Sequence, residues 1–182
     1  GEPVVWEACQ TLNGSWGYDR DNSDYKSVDL LIRMLVDGVS KNGNLLLNVG
    51  PTGRGNFDPR AVESLAGVGA WMELHARSIY GAGASDLTAP PDTRYTARGD
   101  RLYVHVFSWP LGHLHLPGLA GRVAYAQLLN DASEIHFAEA DPDQQAQNTS
   151  MGGQPAGTLT LSLPIQPPPV AVPVIELFLR PA

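Results

Sequence analysis

The sequence is poor in cysteine and in basic residues, and each deficit excludes a class of protein. Cys9 is the only cysteine among 182 residues, so no disulfide can form within the chain. Lys and Arg together number 12 against 19 Asp and Glu, which gives a formal net charge of -7. Proteins that bind nucleic acid or an anionic membrane surface through charge carry a basic patch. We therefore expect neither of these partners.

Long apolar runs are also missing. The sequence contains no stretch of about 18 consecutive apolar residues, and it therefore predicts no transmembrane helix. The first nine residues, GEPVVWEAC, lack the basic and apolar regions of a signal peptide. These absences leave the localisation unknown, because cytoplasmic, periplasmic and secreted proteins of a bacterial type all fit the sequence.

The N-terminal part of the chain alternates between strand and helix patterns. Residues 3–6 form a short apolar run typical of a strand, and a polar loop rich in turn-forming residues extends from Glu7 to Asn22. Apolar residues then recur at helical spacing over residues 24–41. Ser23 or Asp24 can cap the start of this helix.

A second strand and a second helix follow. The continuous apolar run Leu45–Val49 is typical of a strand buried on both faces, as parallel strands are. Asp58 and Pro59 have the pattern of a helix cap followed by proline in the first turn. This helix should extend to about Ala76. Its buried apolar positions are predicted to be Val62, Leu65, Val68 and Trp71 or Met72.

The composition changes after this second helix. Gly81–Asp92 is rich in Gly, Ala, Ser and Pro, and we place a domain boundary between residues 84 and 85. Short segments that alternate between apolar and polar residues then predict strands, separated near the end by a polar loop, Asp141–Gly157. The predicted strands are 102–107, 113–116, 123–129, 134–140, 158–163 and 172–179. Six short strands at this spacing predict an antiparallel β-sandwich over residues 85–182.

Three motifs in the first part occur in an order that is informative. They are WEACQTLNGSWGY at residues 6–18, NLLLNVGP at residues 44–51 and SIYG at residues 78–81. From about Val5 to Tyr80 the chain resembles the end of the catalytic barrel of the family 29 glycoside hydrolases, the α-L-fucosidases. The resemblance implies an α/β part, with two βα units of a partial (β/α)8 barrel in residues 1–84, followed by an all-β sandwich domain. It also implies hydrolysis of terminal α-L-fucosides with retention of configuration.

Glu7 is the strongest catalytic candidate in these motifs. It is predicted to follow the first strand directly, and in (β/α)8 barrels the site residues lie in the loops after the strands. A carboxyl group between apolar residues can act as a general acid, and the resemblance makes Glu7 the acid/base. The alternative is a glutamate at the end of a strand that binds backbone groups or an arginine.

Four further residues are candidates for substrate binding. Trp16 and Tyr18 offer aromatic surfaces on which the C–H faces and the methyl group of a deoxysugar can pack, and the resemblance places Trp16 in the fucose pocket. Trp6 is a third aromatic residue of the same motif. Asn48 can bind a sugar hydroxyl. The alternatives are a packing cluster for the aromatic residues and a backbone-satisfying role in a tight turn for Asn48.

A retaining glycosidase needs two carboxyl groups about 5–5.5 Å apart. In the family the nucleophile is an aspartate at the end of a middle barrel strand, and this aspartate and the histidines that bind fucose precede the stretch that this chain resembles. The loop carboxylates that could replace it are Asp19, Asp21 and Asp58. His113 and His115 share one face of a strand, but a metal site needs a third ligand. We expect neither a metal nor another cofactor.

Two βα units bury their parallel strands only when other strands flank them. We therefore expect another polypeptide, or copies of this chain in a homo-oligomer, to complete the barrel. The substrate implied by the resemblance is a fucosylated glycan or an aryl fucoside. The alternative function is that of a non-catalytic carbohydrate-binding or structural remnant or fragment.

Overall fold

The computed structural model describes residues 4–139 and 154–181. Residue 3 of the predicted strand 3–6, residue 140 of the predicted strand 134–140 and residues 141–153 of the predicted polar loop lie outside the described residues. An α/β part with one parallel pair of strands is followed by two antiparallel sheets. The predicted succession of an α/β part and an all-β part is thus confirmed. None of the described helices is long and apolar enough to cross a membrane.

The first part consists of β1 (Trp6–Thr11), α1 (Val28–Ser40), β2 (Gly43–Asn48), α2 (Pro59–His75) and a 3-10 turn (Ala76–Ser78). The strands that follow are β3 (Thr93–Arg98), β4 (Arg101–Val106), β5 (His113–Pro117), β6 (Val123–Leu128), β7 (Phe137–Glu139), β8 (Thr158–Ser162) and β9 (Val174–Leu179). Strand β3 was not predicted, because its two arginines and its place after a proline-rich stretch resemble a loop.

The first strand begins where it was predicted to end. β1 pairs in parallel with β2, with Trp6 opposite Gly43 and Thr11 opposite Asn48. The predicted strand at residues 3–6 and the predicted start of the loop at Glu7 were therefore wrong. Backbone pairing with β2 continues the strand to Thr11, although polar residues there interrupt the apolar pattern. Both strands end at the same level, so the loops that follow them begin at the same edge.

The leucine run of β2 is not buried on both faces as predicted. Successive side chains of a strand point to opposite faces, and Leu47 packs in a small core under the helices. Leu46 points the other way and is 51% exposed, next to the exposed Cys9 on β1. Within the described residues, β1 is the only strand beside β2.

Helix α1 begins four residues later than predicted, at Val28. Ser27 caps it, since its side-chain oxygen accepts a hydrogen bond from the backbone N–H of Leu30 at 3.1 Å. The residues before the cap are extended because the backbone N–H of Lys26 donates to the oxygen of Leu12 at 2.8 Å. This long-range hydrogen bond explains why neither Ser23 nor Asp24 is the cap.

Helix α2 is capped by Asp58 as predicted, but its buried face differs from the prediction. Val62 is 51% exposed. Small residues face α1 instead, and a Cβ atom added to Gly67 would lie only 2.6 Å from Cγ2 of Val28. The close approach of the two helices therefore requires glycine at this position. The buried residues of α2 are Ala61, Ser64, Trp71 and His75.

The four-stranded sheet, in the order β3-β4-β9-β6, is the middle layer of the molecule. One face shares a hydrophobic core with the three-stranded sheet β5-β8-β7, and the other face packs against α1 and α2. In β4, Leu102 and Val104 enter the first core, whereas Tyr103 enters the second. The predicted alternation of this strand is observed, but both of its faces are buried because the helices cover the second one.

Two buried histidines lie where α2 meets the middle sheet. The ring of His75 stacks on Trp71 with centroids 4.6 Å apart, and its Nδ1–H donates to the backbone oxygen of Trp71 at 2.9 Å. His105 Nε2 lies 2.9 Å from the hydroxyl oxygen of Thr96. That hydroxyl donates to the oxygen of Ser78 at 2.7 Å, so it accepts from His105.

Burial favours the neutral form of both rings. Desolvation lowers the pKa of His75, and desolvation together with the nearby His75 lowers the pKa of His105 to about 3. The second ring nitrogen of each histidine is buried and has no hydrogen-bond partner among the described residues. A proton added to either ring would therefore be a charge without a counterpart.

We expect low pH to destabilise the contact between α2 and the middle sheet. The unfolded chain binds a proton at His105 below about pH 6.5, whereas the folded chain does so only near pH 3. The stabilisation is therefore complete above about pH 6.5 and is lost progressively as the pH falls towards 3. Melting temperatures should fall from pH 7 to pH 4.5, and His105→Gln should flatten this dependence. His136, whose side chain is 84% exposed, provides the control His136→Gln. Equal slopes for the wild type and His105→Gln would contradict the assignment.

Candidate functional site

Two loops meet at the carboxyl edge of the β1–β2 pair. The aromatic loop, residues 12–26, carries Trp16 and Tyr18, and the glycine loop, residues 49–57, follows β2. The carboxyl ends of parallel strands are where α/β proteins place their ligand sites. A Cβ atom added to Gly50 would lie 2.5 Å from the backbone carbon of Gly17. The two loops can approach this closely only because residue 50 has no side chain.

Asn48, at the end of β2, holds the aromatic loop in place. Its Nδ2 donates to the backbone oxygen of Trp16 at 2.7 Å. The side chain therefore satisfies a backbone group in a turn, which is the alternative role that the sequence left open. Its role as a ligand of a sugar hydroxyl stays a prediction.

The aromatic residues of the loop are accessible. The side chain of Trp16 is 62% exposed, and that of Tyr18 is 39% exposed. Tyr18 lines a cleft between the two loops, and Trp16 lies outside this cleft. The cleft has a volume of about 10 Å³, which is room for a single water molecule. The cleft itself is therefore too small for a sugar, and the exposed side chain of Trp16 lies outside it.

Glu7 and Trp6 lie at the other end of β1. Glu7 is inside the strand, opposite Asn44, and not in the loop after it as predicted. It lies four positions before Thr11 at the carboxyl end, about 13 Å away at the usual rise of a strand. The indole of Trp6 donates to the backbone oxygen of Lys41 at 2.9 Å. The structure therefore does not bring these two residues together with the aromatic loop.

The three loop aspartates have structural partners. Asp58 binds Arg60 through both of its oxygens at 2.9 Å, and the hydrogen bonds from Arg60 lower the pKa of this carboxyl group to about 2. Asp21 pairs with Arg20 at 3.1 Å on the surface. Asp19 accepts a hydrogen bond from the backbone N–H of Asp21 at 3.1 Å. Each carboxylate thus helps to shape the loop or the start of α2.

Two cations that were not predicted as functional residues hold the aromatic loop: Arg60 binds it from α2, and Lys26 ties its last residue to β1. Arg60 donates to the backbone oxygens of Asn22 at 3.0 Å and Arg20 at 3.2 Å, and its guanidinium lies 5.0 Å from the ring centroid of Tyr25. Lys26 donates from Nζ to the last backbone oxygen of β1 at 2.6 Å. A backbone oxygen 38 residues earlier in the chain leaves no signal in the sequence around Arg60.

No group of three His, Cys, Asp or Glu side chains in the described part of the chain could hold a metal ion. The rings of His113 and His115 stack with centroids 6.5 Å apart. Nδ1 of His115 lies 2.8 Å from the hydroxyl of Thr160 on the neighbouring strand. His115 therefore contributes a contact between β5 and β8.

Comparisons with known proteins add independent findings. The family model of the α-L-fucosidases matches residues 2–77. The chain is 37% identical over 113 residues to an α-L-fucosidase of Branchiostoma floridae, which is 58% of this chain and 25% of that protein. It is 32% identical over 176 residues to the human tissue α-L-fucosidase, which is 92% of this chain and 34% of that protein.

Solved structures extend the similarity to the whole chain. The α-L-fucosidase isoenzyme 1 of Paenibacillus thiaminolyticus superposes with a TM-score of 0.87 at 40% identity, and the match covers 100% of this chain and 41% of that one. The chain therefore spans between a quarter and two fifths of the length of these relatives.

The contact at Gly50 leads to a prediction with a matched control. Gly50→Ala should force the two loops apart, because its Cβ would meet backbone atoms at 2.5 and 2.6 Å. Overpacking of this kind typically costs about 1–3 kcal/mol. Gly53→Ala adds a methyl group where no atom lies within 4 Å and should be neutral or slightly stabilising. Thermal melting and hydrogen exchange of residues 12–26 measure both effects, and equal behaviour of the two variants would refute the contact.

Proposed function

The chain corresponds to the C-terminal region of the family 29 α-L-fucosidases, and on this premise we propose that it forms part of a glycosidase that hydrolyses terminal α-L-fucosides with retention. The correspondence confirms the resemblance noted in the sequence. The observation that carries the proposal is the superposition of the whole chain on the Paenibacillus thiaminolyticus enzyme with a TM-score of 0.87. A fucosylated glycan or an aryl fucoside is the proposed substrate.

The chemistry of a further relative supports retention. The structure of a family 29 α-L-fucosidase from Bacteroides thetaiotaomicron is described as a trapped covalent intermediate with 2-fluoro-fucosyl fluoride, and it matches 97% of this chain with a TM-score of 0.82 at 27% identity. A covalent glycosyl-enzyme intermediate is what separates retaining from inverting glycosidases.

The first part of the chain is proposed to be two βα units of a (β/α)8 barrel. The helices α1 and α2 pack on one side of the parallel strand pair, whereas the other side exposes Leu46 and Cys9. In such barrels the helices lie outside and the inward-pointing side chains fill the interior. The remaining strands would come from other residues of the same protein, from another polypeptide or from copies of this chain.

Trp16 and Tyr18 are proposed to contribute the aromatic part of the fucose site. An exposed indole at the carboxyl edge offers an apolar face to the methyl group and the C–H bonds of the sugar. Because the cleft beneath them holds only about 10 Å³, the sugar must be enclosed from the barrel side. The nucleophile would come from the strands that complete the barrel, and Glu7 stays the proposed acid/base.

The position of Trp16 supports a binding prediction. Trp16→Ala should weaken the binding of L-fucose about fivefold, which corresponds to the roughly 1 kcal/mol of an aromatic contact. The melting temperature should hardly change, because the side chain is 62% exposed. Tyr80, which is 68% exposed and lies after α2, provides the control Tyr80→Ala. Calorimetry tests both variants; an unchanged affinity would refute the site, and a large fall in melting temperature would support a packing role.

Glu7 supports a catalytic prediction. Glu7 is exposed and lies on the same face of β1 as Cys9, the open face of the strand pair, and its role as the general acid stays a proposal. Under this proposal Glu7→Gln should slow the hydrolysis of fucosides with poor leaving groups by about 10²–10⁴-fold and that of activated aryl fucosides less, whereas unchanged rates for both would contradict it. The rates should be compared for an activated aryl fucoside and for a fucoside with a poor leaving group, over a dilution series of the protein. L-Fucose binding without hydrolysis at any concentration would support the non-catalytic alternative.

A further inference from the structure

Arg60 lies in the first turn of α2 and binds the backbone of the aromatic loop. Its guanidinium is planar and carries five N–H donors in a fixed arrangement. Nε and Nη2 bind the two oxygens of Asp58, both at 2.9 Å. Asp58 is 8% exposed and also accepts from the backbone N–H of Arg60. The carboxylate is thus itself fixed by the helix cap, and it orients the plane of the guanidinium.

The rest of the guanidinium faces the loop. Nη1 donates to the backbone oxygen of Asn22 at 3.0 Å, and Nη2 donates to that of Arg20 at 3.2 Å. The ring of Tyr25 covers the guanidinium at 5.0 Å from its centroid. Hydrogen bonds from a charged donor are stronger than neutral ones, and two of them here reach oxygens that are two residues apart. The backbone between Arg20 and Asn22 is thereby held in one orientation.

A second anchor holds the same loop from the end of β2. The oxygen of Trp16 accepts from Asn48, and the backbone at Gly17 contacts Gly50. Tyr18 therefore lies between an anchor on β2 and an anchor on α2. With both ends of this short segment tied to regular structure, the aromatic side chains have a defined position although they are exposed.

We propose that Arg60, oriented by Asp58, is a positioning residue that fixes the aromatic loop for sugar binding. The effect on a sugar depends on the proposed function, whereas the effect on the loop does not. A lysine at residue 60 keeps the charge but has a single nitrogen, and it cannot bind two loop oxygens and a carboxylate in one plane. Arg60→Lys should therefore release the loop, and Asp58→Asn, which keeps a good cap residue, should have a similar effect.

Trypsin offers a direct measurement, because it cleaves after Arg20 inside the loop and after Arg54 in the glycine loop. In Arg60→Lys the ratio of cleavage after Arg20 to cleavage after Arg54 should rise at least tenfold, with little change in melting temperature. The control is Arg54→Lys, which keeps its cleavage site and lies exposed outside the aromatic loop. An unchanged ratio, or faster cleavage at both sites with a lower melting temperature, would overturn the proposal.

The calorimetric measurement separates this inference from the proposed function. If the parent chain binds L-fucose, Arg60→Lys should weaken binding at least threefold, and Arg54→Lys should not change it. Equal affinities in the presence of a released loop would overturn the role of Arg60 in sugar binding. If the parent chain does not bind L-fucose, the proposed function fails, and the role in sugar binding fails with it. The cleavage ratio then decides separately whether Arg60 orders the loop.

Discussion

The parallel register of β1 and β2 is the constraint on which the candidate site depends. Since Thr11 and Asn48 lie opposite each other, the loops after both strands begin at one edge and must pass each other at close range. This contact requires a glycine at residue 50. The same register places the amino ends together at the opposite edge, where the indole of Trp6 binds the end of α1. A residue's position along these strands therefore decides at which of the two edges its side chain lies.

The helices connect this strand pair to the antiparallel sheets. They cover the second face of the middle sheet, and the side chains of this contact come from both parts of the chain. A boundary near residue 84 describes the composition well, but the packing continues across it. The buried pair His75 and His105 lies at this contact. The hydroxyl group of Thr96 lies there too and donates to the oxygen of Ser78 in the turn after α2. Neutral histidines suit this place because no carboxylate accompanies them in the hydrogen bonds described.

The proposed sugar site combines exposed aromatic side chains with a firmly held backbone. The side chains that hold the loop bind its backbone oxygens. Asn48 binds the oxygen of Trp16, and Arg60 binds the oxygens of Arg20 and Asn22. Such an arrangement leaves the aromatic surfaces free for a ligand, and it limits the entropy lost when the ligand binds. It also explains why the polar residues nearest the aromatic side chains are engaged with the protein itself. The carboxyl groups of a retaining mechanism would have to approach from the open side of the strand pair.

Local sequence patterns determined the order of α/β and all-β parts, the cap of α2, the helix of α1 apart from its start, and most of the antiparallel strands. Ordered motifs also indicated the resemblance to the α-L-fucosidases, which the comparisons support. Tertiary structure alone decided the extent of β1, the end at which Glu7 lies, the exposure of Leu46 and the roles of Asn48 and Arg60. The reason is physical: capping and alternation involve residues close in sequence, whereas strand register and hydrogen bonds to backbone oxygens join residues more than 30 positions apart. A carbonyl oxygen is common to every residue, so the sequence does not mark which one a distant side chain will bind.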